Sequence, residues 1–135
     1  MISSDVTIKA QFYDLDPMKV VWHGNYVRFL EQARCALLDK IGFNYEEMSQ
    51  TPYVWPIVDM RLKFVRPVRF AQEIKVTATL VEYEVRIRIR YLITDLSTGE
   101  ILSRADTIQV AVEKETNALC FESPRELRER VERLL

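Results

Sequence analysis

Hydrophobic periodicity changes along this chain, and the change limits the folds open to it. From Gly24 to Ile41, the residues Tyr26, Phe29, Leu30, Ala33, Leu37 and Ile41 recur at steps of three and four, the spacing that lines one face of a helix. Gly42 follows at once, where a left-handed residue ends a helix most easily. On either side the apolar residues alternate in twos, which is the strand period. Val6, Ile8, Ala10 and Phe12 alternate with Thr7, Lys9 and Gln11, predicting a strand from Val6 to Tyr13. Beyond the helix, Trp55 to Val65, Glu73 to Tyr83, Val85 to Thr94 and Ile101 to Val112 read as strands rich in β-branched and aromatic residues. Val85 to Tyr91 alternates most sharply, with Arg86, Arg88 and Arg90 on one face.

The separators are short: Arg66-Pro67, Glu82 to Glu84, and Asp95 to Gly99. Such connections imply antiparallel pairing. Ser123, Pro124 and Glu126 predict a last short helix, with Ser123 as its N-cap and Glu126 closing a capping box. A helix with one apolar face beside one antiparallel sheet must pack across it, because neither buries its face alone. The expected fold is therefore α+β, a single domain over residues 1–135 with the sheet wrapped around a long central helix.

Scarce residues narrow the chemistry. With 3 Gly in the chain, a Gly-rich phosphate loop has little to be built from. A single His, His23, and 2 Cys far apart, Cys35 and Cys120, argue against multi-histidine metal sites and zinc knuckles. The net charge of −1 lacks the basic excess of a nucleic-acid binder. No apolar run approaches the about 20 residues of a membrane span. Met1 to Thr7 lacks the charged start and apolar core of a signal peptide, so a reducing cytoplasm is the expected compartment.

The segment from Asp14 to Tyr26 holds what chemistry remains. It places two carboxylates, Asp14 and Asp16, and the lone His23 directly before the helix. A helix N-terminus offers unpaired N–H groups to an anion or a developing oxyanion. A carboxylate aimed at the same point can act as nucleophile or general base. Spacing alone does not choose between Asp14 and Asp16.

The run DLDPMKVVWHGNYVRFLEQAR resembles the signature of the 4-hydroxybenzoyl-CoA thioesterase-like group of hot-dog-fold proteins. The resemblance implies hydrolysis of acyl-CoA or acyl-carrier-protein thioesters, without a cofactor or metal, by a homodimer or homotetramer. It places the catalytic aspartate on Asp16 and the oxyanion-binding backbone N–H on His23, with Gly24 as a neighbouring donor. The His23 side chain would assist, as it does in the bacterial acyl-CoA branch. Asn25 and Tyr26 would fix the loop and pack the helix. Most relatives have glycine at the position of Lys19, so Lys19 leads one to expect a somewhat different loop. Related folds hydrate or dehydrate acyl thioesters, or bind them without turnover. The seven-residue step from Asp16 to His23 departs from the hydratase pattern.

Other residues carry weaker expectations. Arg61, Lys63, Arg66 and Arg69, with Arg86, Arg88 and Arg90, are candidates for the phosphates of CoA, because the guanidinium fork suits phosphate; Arg66 and Arg69, which flank a turn, are the favoured pair. Arg86, Arg88 and Arg90 are expected on a solvated sheet face, paired with Glu82 and Glu84. Some hot-dog thioesterases use a helix carboxylate instead of a loop aspartate, which makes Glu31 a second candidate, but it is expected rather to pair with Arg34 at i,i+3. Cys35, Trp22 and Phe64 are expected in the core.

Overall fold

The computed structural model describes residues 1–135. Its elements run in the order β1 (Ser3–Lys9), α1 (Tyr26–Ile41), α2 (Tyr45–Ser49), β2 (Tyr53–Val54), β3 (Ile57–Phe64), β4 (Glu73–Glu82), β5 (Ile87–Asp95), β6 (Ile101–Gln109), β7 (Val112–Glu113) and α3 (Arg125–Glu132). Five strands form one antiparallel sheet in the order β1-β4-β5-β6-β3, and β2 pairs with β7 apart from it. The sheet and the central helix are the ones that the periodicity predicts.

Helix α1 lies across β1 and β4. Its apolar stripe (Tyr26, Phe29, Leu30, Ala33, Leu37, Ile41) is buried, against Ile74, Val76 and Ala78 of β4 and Ile89, Tyr91 and Ile93 of β5. Gly42 ends the helix at φ 80°, a conformation a Cβ disfavours. The helix leaves the β6–β3 side of the concave face less covered. There β6 presents small or polar groups inward, with Ser103, Thr107 and Gln109 all buried. Gln109 donates to the Trp55 carbonyl at 2.9 Å, and Thr107 meets the Tyr91 hydroxyl at 2.8 Å. Beyond β6, strand β3 is an edge: β6 is its one neighbour in the sheet. No helix is long and apolar enough to cross a membrane.

Several local expectations need correction. The first strand stops at Lys9 rather than Tyr13, because the chain tightens into a 3₁₀ turn over Phe12–Asp14. This leaves Phe12 79% exposed. Pro56 lies between β2 and β3, so the strand expected from Trp55 begins at Ile57. Ser123 does not cap the last helix. Pro124 takes the cap position without a side-chain cap bond, and the Ser123 hydroxyl donates instead to the Tyr83 carbonyl. Cys35 is exposed rather than core, with its Sγ accepting from the Asn44 amide. Trp22 and Phe64 are each about half exposed rather than core; Phe64 stands on β3, which α1 does not cover.

Candidate functional site

The two aspartates are separated by the turn that ends β1. Asp14 closes the 3₁₀ turn and is 3% exposed. Its Oδ2 accepts from the Gln11 N–H at 2.8 Å, and its Oδ1 accepts from the Arg28 guanidinium at 2.6 Å. Its carbonyl accepts from the Asn25 side chain and the Trp22 N–H. Asp14 therefore clamps the start of α1 to the end of β1, with both oxygens engaged. The shared strand face that an extended Asp14–Asp16 segment would give does not form.

Asp16 stands beyond that clamp. It begins a tight turn in which Lys19 N–H donates to the Asp16 carbonyl at 2.9 Å and Asp16 N–H donates to the Val20 carbonyl at 2.9 Å. The Asp16 Oδ1 accepts from the Met18 N–H at 2.8 Å. One carboxylate oxygen is thus anchored, and Oδ2 has no hydrogen-bond partner. Lys19 sits at φ 65°, in the left-handed region that glycine enters without a Cβ penalty. The lysine thus adopts a backbone conformation that a glycine would favour. Its side chain is exposed and forms no ion pair with Asp16.

His23 opens a 3₁₀ turn, His23–Asn25, that runs directly into α1. As first residues of a helical segment, His23 and Gly24 have no preceding turn to accept their N–H groups. Gly24 lets the chain pass under the Trp22 ring; a Cβ there would lie 2.4 Å from a ring carbon. The Trp22 and His23 rings are 5.2 Å apart.

Asp16, His23 and Tyr26 line one cavity of about 270 Å³ with Val21, Phe64 and Arg66. Tyr26 packs edge-on against Phe64, ring centres 4.9 Å apart. Burial pushes the Tyr26 phenol above its ordinary pKa, so it stays neutral. The cavity has an apolar wall, one carboxylate with a free oxygen, and the open end of a helix.

Of the remaining candidates, Arg66 lies at the cavity and also pairs with Glu100 at 3.1 Å. Arg69 is exposed outside it, its backbone bridged to Val20. Glu31 pairs with Arg34 through both carboxylate oxygens, at 2.9 and 2.6 Å, as the spacing predicts. Arg86 reaches Glu82 at 3.2 Å, but Arg88 turns to Asp106 at 3.3 Å instead. A second recess of about 400 Å³, lined by Arg34, Leu38, Tyr53, Trp55 and Gln109 among others, lies further along α1. It escaped the reading of the sequence because its walls come from five separate stretches of chain.

An antiparallel sheet wrapped around one long helix is the hot-dog fold, a fold that thioester hydrolases share. The family model of the thioesterase-like superfamily matches residues 10–131, and the chain belongs to that family. A putative acyl-CoA thioesterase of Bacillus subtilis (strain 168) is 26% identical over 110 residues, covering 81% of this chain and 79% of that protein. Among solved structures, the DHNA-CoA thioesterase of Staphylococcus aureus superposes with a TM-score of 0.84 at 24% identity, covering 99% of this chain and 91% of that one. A mutant 4-hydroxybenzoyl-CoA thioesterase complexed with 4-hydroxybenzoyl-CoA superposes with a TM-score of 0.82 at 22% identity, covering 96% of this chain and 99% of that one.

Proposed function

We propose that this chain hydrolyses acyl-CoA or acyl-carrier-protein thioesters, with Asp16 as the reacting carboxylate. The observation that carries the reading is the shared cavity: Asp16, whose Oδ2 is free, and His23, the first residue of the helical segment, line the same space. A thioester carbonyl seated there would direct its oxygen at the backbone N–H of His23, with Gly24 as a second donor. Charge that builds on that oxygen is met by donors already in place. Asp16 either attacks the carbonyl carbon and expels the thiolate, forming an anhydride that water then opens to the acid and free Asp16, or takes the proton of a water that attacks the carbon and expels the thiolate. The apolar wall of Val21, Tyr26 and Phe64 suits the acyl group, and the His23 ring stands by to assist. Arg66 and Arg69 are assigned to the phosphates of CoA.

The same reading includes association through β3. This edge carries Val58, Met60 and Phe64 partly exposed, with an unpaired row of backbone groups. Such an edge invites a further strand. A second copy laid antiparallel on it would cover Phe64 and close the cavity on its open side. The expected assembly is a homodimer, or a homotetramer made from two of them.

Thiol release from acyl-CoA, followed with a thiol-reactive dye, tests the reading. Asp16→Asn should lose about 10²- to 10⁴-fold in kcat with its fold intact. Full activity in Asp16→Asn would remove that carboxylate from the mechanism. An unchanged rate in His23→Ala would leave the backbone there as the contributing group.

A further inference from the structure

The outward face of β3, β6 and β5 carries a block of positive charge that the cavity does not use. In one cross-strand row, Lys63 stands directly opposite Arg104. In the next, Asp106 has Arg61 opposite on one side and Arg90 on the other. In the third, Ile108 lies between Asp59 and Arg88. The two carboxylates are committed, Asp106 to Arg88 at 3.3 Å and Asp59 to Arg61 at 3.9 Å. Lys63, Arg104 and Arg90 are exposed and pair with no carboxylate. Like charges directly opposite each other destabilise a sheet, and this occurs in a chain whose net charge is −1. The Lys63–Arg104 pair does not stabilise the sheet, and with Arg90 it leaves positive charge on the surface that no carboxylate of this chain neutralises.

The shape and place of the patch indicate what would cover it. It spans three neighbouring strands, about 10 Å from the first to the third, on an open sheet face rather than in a cleft. That suits a broad anionic surface better than a single diphosphate. Its upper corner, Lys63, is the residue before Phe64, and Phe64 to Arg66 line the cavity that holds Asp16. A molecule on the patch would lie beside the mouth. We infer that this face docks an acidic protein that presents its acyl group on a flexible thioester-ended arm, an acyl carrier protein. The inference rests on the reading of the cavity as a thioester-hydrolysing site, and it favours the carrier-bound form of the substrate. Complementary charge of this kind governs encounter and choice of partner more than the chemical step.

The test compares the native chain with the double variant Lys63→Glu, Arg104→Glu, after circular dichroism has established that the variant is folded. The same medium-chain acyl group is offered on a bacterial acyl carrier protein and on CoA. Binding of the carrier without an acyl group is read separately by fluorescence anisotropy at low and high salt. The expected result is a KM for the acyl carrier raised about tenfold or more at unchanged kcat, with acyl-CoA kinetics unaltered. Carrier binding should also weaken with salt and be lost in the variant. Equal loss with both substrates would overturn the inference and give the patch to the phosphates of CoA. Unchanged carrier kinetics and binding would overturn it outright, as would a change in oligomeric state by sedimentation as the variant's one effect. Should neither substrate be hydrolysed while the carrier still binds in a manner that the variant abolishes, the docking face stands and the hydrolytic reading fails.

Discussion

Asp14 and Asp16 show how two identical side chains acquire different duties from the backbone between them. The 3₁₀ turn over Phe12–Asp14 turns Asp14 inward onto Gln11 and Arg28, and the following turn leaves Asp16 with one free oxygen at the cavity. Replacing Asp14 by Asn should lower stability by about 1–3 kcal/mol, since a buried charge-assisted hydrogen bond is lost. The rate per folded molecule should change little. Urea unfolding alongside initial rates separates the two effects, and a variant of native stability with lost kcat would assign the chemistry to Asp14. At this scale the sequence was only partly legible. Two carboxylates and an imidazole ahead of a helix mark the region, but the side chain's direction depends on turns that no periodicity encodes. Lys19 illustrates the same limit: the hydrogen bonds at Asp16 and Val20 hold it at φ 65°, a conformation that its identity does not announce.

Among the elements, those with a sustained period were legible and the short ones were not. Sixteen residues of α1 carry one apolar stripe, and β4, β5 and β6 alternate over nine or ten residues each. The five residues of α2 and the two-residue pair β2 and β7 are too brief for a period to show. Ser123 carried a plausible capping signal, but the Tyr83 carbonyl takes its hydroxyl. Strand β5 makes its own prediction through Tyr91. Burial pushes this phenol up to about 12, while its hydrogen bond with Thr107 pulls the other way. A pKa raised in the folded state gives stability that is complete below the ordinary value of 10.0 and is lost as pH rises toward 12. Alkaline unfolding between those values, followed by Tm against pH, should therefore be shallower in Tyr91→Phe. That variant should also be less stable at neutral pH, because the Thr107 hydroxyl loses its partner. An unaltered alkaline limb would show that Tyr91 does not titrate with unfolding.

For the molecule as a whole, the decisive asymmetry is that α1 covers one half of the sheet and leaves the other open. This accounts for the partial exposure of Phe64, a residue expected in the core, and of Met60 on the same strand. If a second copy covers that half, activity must depend on protein concentration. Met60→Lys, a charge on the β3 edge, should shift the chain toward monomer in analytical ultracentrifugation and lower kcat/KM by about tenfold or more. A fully active monomer would show that the cavity is complete in one chain. The sheet's two edges also differ in kind. Val6 and Ile8 of β1 pack against the core, whereas Val58, Met60 and Phe64 of β3 stand exposed between Asp59, Arg61 and Lys63. Pairing β3 with its own copy is self-complementary about a two-fold axis, so it consumes both β3 edges at once. What is left at either end of the joined sheet is the β1 edge, where Asp5 and Lys9 discourage another strand. The contact that would complete the site is thus one that terminates itself, yielding a counted assembly rather than a fibre.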